Sequence, residues 1–140
     1  MSPRFFTVAE AQRTLPLVRR IVADLMSEYP RWRAAVGRFE LLSAGARADQ
    51  GETAEQAAAR EEVTAAASRI TDYLKELDAI GCVFKGFDAG LVDFYSLRED
   101  RPVFLCWRLG EERITHWHEV DTGFTGRQPI DAAILSAVRS

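Results

Sequence analysis

Two long runs of apolar residues at helical spacing, separated by a short segment containing glycine, constrain this chain more than any other feature. In both runs the spacing alternates between three and four residues, which places each set along one face of a helix. The first run comprises Val8, Ala11, Leu15, Val18, Val22, Leu25, Tyr29, Trp32, Val36 and Phe39. The second begins at the polar Gln56 and continues with Ala59, Val63, Ala66, Ile70, Tyr73, Leu77 and Ile80. The pattern predicts two long, coiled-coil-like helices.

The ends of both helices carry recognisable signals. Thr7 stands three residues before Glu10, and Thr53 stands three residues before Gln56, so each pair fits a capping box at a helix start. Gly81 follows the second run directly and suits the left-handed residue that ends a helix. The connection, residues 43–51, is short and has no large apolar side chain. A short connection between two such helices predicts an antiparallel hairpin.

Two prolines lie inside the first run, Pro16 and Pro30. Each removes a backbone donor and crowds the carbonyl four residues earlier, so we expect a kink at one or both positions. The apolar period stays in phase across Pro30. This continuity favours one kinked helix over two separate ones.

After Gly81 the pattern changes to short runs of β-forming residues, at 82–84, 91–95, 103–109 and 113–120, separated by turn residues. They predict an antiparallel β-meander of three or four strands.

The fold class is therefore α+β, with the hairpin packed on the meander. We expect a single domain over residues 1–140: a hairpin at about 7–80, a meander at about 81–128 and a closing segment at 129–140, with a short helix between Ile130 and Val138.

Alternation along the third predicted strand places Val103, Leu105, Trp107 and Leu109 on the face that packs against the helices, and Cys106 on the other face. On the fourth, His116 and His118 share a face. If the intervening loop has three residues, 110–112, Cys106 lies opposite His116 and Phe104 opposite His118. A loop of two residues shifts the pairing by one. The sequence leaves both registers open.

Composition narrows the class of protein. The net charge of −3 argues against nucleic acid as a partner. No apolar run is long enough to cross a bilayer and no signal peptide is recognisable, so we expect a cytoplasmic protein without a membrane partner. Cys82 and Cys106 lie in apolar surroundings, where free cysteine is commonly a small buried hydrophobe, although a disulfide between them stays open.

The chain resembles a bacterial family of domains of unknown function, number 2203. The resemblance spans nearly the whole length and is carried by FTVAEAQRTLPLVRR near the start, GLVDF at Gly90–Phe94, CWRLGE at Cys106–Glu111, WHE at Trp117–Glu119 and GFTGR at Gly123–Arg127. It implies a helical hairpin followed by a small sheet. It implies no activity, because the family has none established.

A first candidate site is a metal centre. Histidines at i and i+2 on a strand point the same way, and a thiolate or carboxylate from a neighbouring strand completes a set suited to Zn or Fe. The candidate ligands are His118, His116, Cys106, Asp93 and Glu119. The structural alternative is that His118 is a buried histidine satisfied by a carboxylate or a backbone group, with His116 exposed.

A second candidate is an anion site formed by the loop Gly123–Arg127 with Lys85 or Arg108, since glycine-flanked loops turn backbone N–H groups outward and Arg127 offers a planar fork. Alternatively, the glycines only shape a turn and Arg127 pairs with an acid such as Glu111 or Asp93.

A third candidate is nucleophilic or acid–base catalysis by Cys106 with His118 and Asp93 or Glu119. A reactive thiol needs an electropositive, partly exposed position, whereas Cys106 stands between Leu105 and Trp107.

The hairpin is itself a candidate partner surface, because its apolar faces are longer than a small sheet needs. Alternatively, each helix covers the other. The leading functional hypothesis is a binding or assembly module without catalytic activity, forming a homo-oligomer or binding a protein partner through the hairpin. The second hypothesis is a metal-binding protein or metal-dependent enzyme with its site at the sheet.

Overall fold

The two predicted helices form an antiparallel pair in a computed structural model that describes residues 4–45 and 50–135. Helix α1 spans Val8–Ser43 and α2 spans Ala54–Ile80. Both capping boxes are present: the Thr7 hydroxyl accepts from the Glu10 N–H, and Thr53 and Gln56 form the same arrangement. Gly81 has the expected positive φ of 104°. Helix α1 runs through both prolines as one element, as the unbroken period predicted.

The strands form one antiparallel sheet in which neighbours in sequence are neighbours in space. They are β1 (Val83–Phe84), β2 (Leu91–Arg98), β3 (Arg101–Arg108), β4 (His116–Glu119) and β5 (Gln128–Pro129). The α+β class and the meander are thus confirmed. The fifth strand was not predicted, because it has two residues and one of them is a proline, which sheets accept at an edge.

The chain ends, as far as it is described, in a short helix, α3 (Ala132–Leu135). It lies within the segment predicted to be helical from Ile130 to Val138. The part of that prediction beyond Leu135 falls outside the described residues. Ile134 is buried in the shared core, so this segment packs against the rest of the fold.

Strands β2 and β3 are longer than predicted because the turn between them is shorter. The predicted strands end at residue 95 and resume at residue 103, but only Glu99 and Asp100 form the turn between them, with φ of 52° and 63°. Two successive residues with positive φ form the tight turn that suits the twist of a β-hairpin. Glycine or asparagine usually marks that turn, and neither is present.

The register between β3 and β4 is the one that a loop of three residues would give. Cys106 pairs with His116 and Phe104 pairs with His118. The connection itself is longer, because pairing stops at Cys106 and His116 and the chain leaves the sheet over residues 109–115. The pairing of β3 with β4 therefore has this register although β4 is half as long as predicted.

The hairpin and the sheet share one hydrophobic core. Val103, Leu105 and Trp107 are fully buried against the helices, as their alternation predicted. From α1 the core receives Leu15, Val18, Val22 and Leu25, and from α2 Leu77. The opposite face of β3, which carries Cys106, is therefore the outer face of the sheet.

Beyond Leu25 the buried face of α1 differs from the prediction. Tyr29, Trp32, Val36 and Phe39 were expected to line the helix interface, but they are only half-buried, and Glu28 and Ala35 are buried instead. Two interactions explain the change. Glu28 pairs with Arg69 of α2, and Tyr29 stacks on Phe87 with ring centroids 4.0 Å apart. In this part of α1, Tyr29 therefore packs on the turn before β2, and the buried positions belong to Glu28 and Ala35.

Among the described residues, no helix combines the length and the apolar character needed to span a bilayer.

Candidate functional site on the outer face of the sheet

Three buried side chains with ligand-type atoms meet on the outer face of the sheet. Asp93 on β2 lies directly opposite Cys106 on β3, and His118 on β4 lies one side-chain row further along. Their exposed fractions are 2%, 1% and 2%. Alternation within each strand puts all three on the face away from the hairpin, so the pairing of three strands builds the cluster.

The ring of His118 is held by hydrogen bonds at both nitrogens. Its Nδ1 lies 2.7 Å from the backbone oxygen of Glu119, and its Nε2 lies 3.2 Å from each carboxylate oxygen of Asp93. A carbonyl oxygen can only accept, so Nδ1 carries a hydrogen. Nε2 therefore faces a carboxylate with only its lone pair unless a proton or another cation lies between them.

Cys106 completes the cluster. One ligand atom each from Asp93, Cys106 and His118 can be chosen so that all three lie within 4.8 Å of one another. In the part of the chain that the structure describes, these three side chains form the group whose ligand atoms lie close enough together to hold one metal ion. Carboxylate oxygen, thiolate sulfur and imidazole nitrogen are all ligands of zinc.

Burial dominates the ionisation of the two acidic groups. It raises the pKa of the Asp93 carboxyl, while the neighbouring His118 and Lys85 act in the opposite direction. Burial, reinforced by the Asp93 charge, raises the pKa of the Cys106 thiol to about 12, with Arg127 opposing this. At neutral pH and without a bound cation, Cys106 is therefore a thiol, which is a poor nucleophile.

A cavity of about 240 Å³ opens onto the cluster. Its walls include the apolar side chains of Leu91, Val120 and Phe124, and Lys85 lies at its edge. The Lys85 Nζ is 4.0 Å from Asp93 Oδ2 and 5.2 Å from the centroid of the Phe104 ring. The cluster is thus accessible through a mostly apolar opening that carries one cation.

The loop that follows β4 forms one wall of this cavity. It contains a 3-10 turn, Phe124–Gly126, preceded by Gly123 with φ of 69°. A Cβ on Gly126 would collide with the side chain of Thr122, so a larger residue does not fit there without rearrangement. The same turn brings Phe124 to the cavity.

Arg127 holds the loop to the sheet. Its Nη2 donates to the Glu111 carboxylate at 2.7 Å and to the Cys106 backbone oxygen at 3.2 Å. Of the two acids named as alternative partners, Arg127 therefore pairs with Glu111. Arg127 packs over the Phe124 ring at 4.6 Å, so it supports the wall of the cavity from behind.

The remaining predicted site residues lie apart from the cluster. His116 is opposite Cys106 in the register, but its Nδ1 bonds the hydroxyl of Thr115 at 2.8 Å. Glu119 binds Arg101 through both carboxylate oxygens, and only its backbone oxygen reaches His118. Of the three cations assigned to an anion site, Lys85 lines the cavity, whereas Arg127 is paired with Glu111 and Arg108 is exposed and packs over Phe124 at 5.6 Å.

Two features of the site were not anticipated. Leu91 lines the cavity, and the alternation of β2 already puts it on the same face as Asp93, so this residue was within reach of the sequence. The hydrogen bond from His118 to the Glu119 backbone oxygen depends on the local path of β4 and leaves no trace in the sequence.

The cysteines are both free and buried, which excludes the disulfide between Cys82 and Cys106 in this structure.

The family described as an uncharacterized conserved protein, DUF2203, matches residues 4–130, so the chain belongs to that family. No curated protein and no solved structure matches the chain.

Proposed function

We propose that this member of an uncharacterised family is a binding module that holds one divalent transition metal ion, with Asp93, Cys106 and His118 as its ligands. The observation that carries the proposal is the orientation of His118. Its Nδ1 lies 2.7 Å from the Glu119 backbone oxygen and donates to it, so Nε2, which lies 3.2 Å from the Asp93 carboxylate, is the ring nitrogen positioned to bind a metal. Metal-binding histidines are held in this way by a second hydrogen bond at the other ring nitrogen.

The distances suit a metal of the zinc type. In a tetrahedral site with bonds of about 2.0–2.3 Å, the ligand atoms lie roughly 3.3–3.8 Å from one another. The separation of 3.2 Å between His118 Nε2 and Asp93 already fits, and the widest separation in the cluster, at most 4.8 Å, needs to shrink by about 1 Å. The mixed oxygen, sulfur and nitrogen set favours Zn²⁺, with Fe²⁺ second.

A reducing compartment, the cytosol, suits such a site. Cys106 binds metal only while it is not oxidised, and both cysteines of the chain are free and buried. We therefore propose a cytoplasmic protein.

Metal analysis of protein purified without a histidine tag tests the proposal. After removal of adventitious metal and saturation with Zn²⁺, we expect about one equivalent bound and a higher melting temperature, because a ligand of the folded state stabilises it. Cys106→Ala should lose the metal. His116→Ala is the matched control, since it removes the neighbouring histidine that lies outside the cluster, and it should keep the metal.

Two results would contradict the metal proposal: wild-type protein that stays free of metal with an unchanged melting temperature, or equal metal loss from Cys106→Ala and His116→Ala.

A second candidate function is assembly through the hairpin, which one observation favours. In the distal part of α1 the large apolar residues Trp32, Val36 and Phe39 are only half-buried, and Leu41 is 77% exposed. A second copy or a protein partner packed there would bury them. Light scattering over a range of concentrations tests this function, and Trp32→Ala should weaken the association. A monomer at all concentrations, with no partner bound, would exclude it.

A further inference from the structure

The cavity above the Asp93, Cys106 and His118 cluster has the chemistry to bind a ligand of its own. This inference rests on the metal site proposed above and extends it to the class of molecule that the site accepts. Three features on one face of the sheet carry it: the number of protein ligands, the charge around them, and the shape and polarity of the cavity.

The protein supplies three ligand atoms, one fewer than a tetrahedral metal needs. Metal sites with three protein ligands keep the fourth position for water or a substrate, whereas structural zinc sites are closed by four protein ligands. The described part of the chain contributes no fourth residue to the cluster. The cavity of about 240 Å³ is lined by all three ligand residues, so the fourth position is open to a small molecule.

The charge around the site favours an anion. A divalent metal bound to a carboxylate, a thiolate and a neutral imidazole has a net charge of about zero. Lys85 then adds one positive charge, since its Nζ is 4.0 Å from Asp93 Oδ2. Arg127 adds none, because Glu111 neutralises it at 2.7 Å. A single negative charge on the ligand would balance the site.

The remaining walls favour an apolar body on that anion. Leu91, Val120 and Phe124 line the cavity, and Phe124 is backed by the guanidinium of Arg127. Burying apolar surface there contributes about 25 cal/mol per Å². A strongly hydrated anion such as phosphate has no apolar surface to bury against these walls.

From these features we infer that the metal-loaded protein binds a small organic carboxylate, with one carboxylate oxygen at the open metal position, the charge paired with Lys85, and the apolar body against Leu91, Val120 and Phe124.

Cobalt-substituted protein provides the test, because the visible spectrum of Co²⁺ reports both its binding and changes in its coordination. The probes are acetate, benzoate and inorganic phosphate at equal ionic strength. We expect benzoate to change the cobalt spectrum and to bind at least tenfold more tightly than acetate, since it buries more apolar surface. We expect phosphate to bind more weakly than benzoate.

Lys85→Met tests the proposed charge pairing, since methionine keeps much of the side-chain length and removes the charge. It should still bind one equivalent of Co²⁺ but bind benzoate at least tenfold more weakly, and Lys85→Arg should recover part of that loss. Lys75→Met is the matched control, because Lys75 is the other lysine of the chain and lies exposed on α2. It should change neither affinity.

The outcomes separate the two proposals. If Co²⁺ binds and none of the three anions alters its spectrum, the open position is not a ligand site and this inference fails, while the metal site stands. If phosphate binds more tightly than benzoate, or Lys85→Met leaves benzoate binding unchanged, the carboxylate class or the role of Lys85 is wrong. If Co²⁺ does not bind, the metal site itself fails, and this inference fails with it.

Discussion

Asp93 and His118 lie on β2 and β4, with β3 between them, yet both carboxylate oxygens of Asp93 are 3.2 Å from Nε2 of His118. Both side chains are almost fully buried. Two buried groups that face each other with lone pairs must share a proton or a metal ion. The same contact therefore determines both the stability of the metal-free protein and the way it would bind metal.

Removing the carboxylate should destabilise the metal-free protein. In Asp93→Ala, His118 Nε2 is left buried without its partner, and breaking a buried pair from one side costs about 3 kcal/mol of the free energy of unfolding. Urea unfolding at pH 7 in the presence of chelator measures this loss. Asp88→Ala, in the exposed turn between β1 and β2, is the control and should change the free energy by less than about 0.5 kcal/mol. Equal effects of the two substitutions would contradict the pairing.

Metal binding should release about one proton at neutral pH, from the Cys106 thiol, whose pKa is raised to about 12, chiefly by burial. The apparent affinity for Zn²⁺ should therefore rise by about tenfold for each pH unit between roughly pH 6 and pH 8. Competition with a chelator of known pH dependence measures the slope. A slope near zero would mean that the metal binds elsewhere.

The sequence predicted the positions of the strands that form this site better than it predicted the contacts between their side chains. Alternation reduced the pairing of β3 and β4 to two registers and left both open, and the structure has the one that places Cys106 opposite His116. Yet the residue that joins Cys106 and Asp93 in the cluster is His118, which lies diagonally across the sheet. Diagonal contacts depend on strand twist and on side-chain rotamers, which alternation does not specify.

The hairpin shows a similar boundary between what can and cannot be predicted. Spacing alone located α1 and α2, and the capping residues fixed their first turns. The spacing did not reveal that Glu28 replaces Tyr29 on the buried face. That exchange depends on Arg69 and Phe87, which belong to other elements. Apolar periodicity is a property of one helix, whereas burial is decided by the neighbours that pack against it.

Glu111 should contribute stability that is lost in acid. The pKa of its carboxyl is lowered from the ordinary 4.5. Burial is the largest single influence and acts to raise the pKa, but the hydrogen bonds from Arg127 and from the Arg108 backbone N–H together outweigh it. A lowered folded-state pKa gives a contribution that is present above pH 4.5 and is lost as the pH falls through the folded value. Glu111→Gln should therefore reduce the free energy of unfolding by about 1.5 kcal/mol at pH 7, and by less below about pH 4.

Urea unfolding of wild type and Glu111→Gln at a series of pH values measures this difference. The exposed neighbour Glu112 offers the control, since Glu112→Gln should follow the wild type throughout. A Glu111→Gln deficit that does not shrink in acid would show that charge is not its source.

The buried ion pair of the hairpin should respond asymmetrically to substitution. The side chain of Glu28 is 5% exposed and that of Arg69 is 52% exposed. Water can therefore solvate the Arg69 guanidinium, whereas the Glu28 carboxylate needs Arg69 in place of the water it has lost. Among the described residues, Arg69→Ala leaves that buried charge with Arg31, at 3.9 Å, as its ion-pair contact, and should lower the free energy of unfolding by about 2 kcal/mol. Glu28→Leu places an apolar side chain between the helices and lets Arg69 extend into water, so it should be neutral or stabilising by about 1 kcal/mol.

The double variant should match Glu28→Leu alone, because Arg69 then has no buried charge to compensate. Chemical unfolding of the three variants completes the cycle, and a destabilised Glu28→Leu would show that the pair stabilises the hairpin rather than merely satisfying a buried charge.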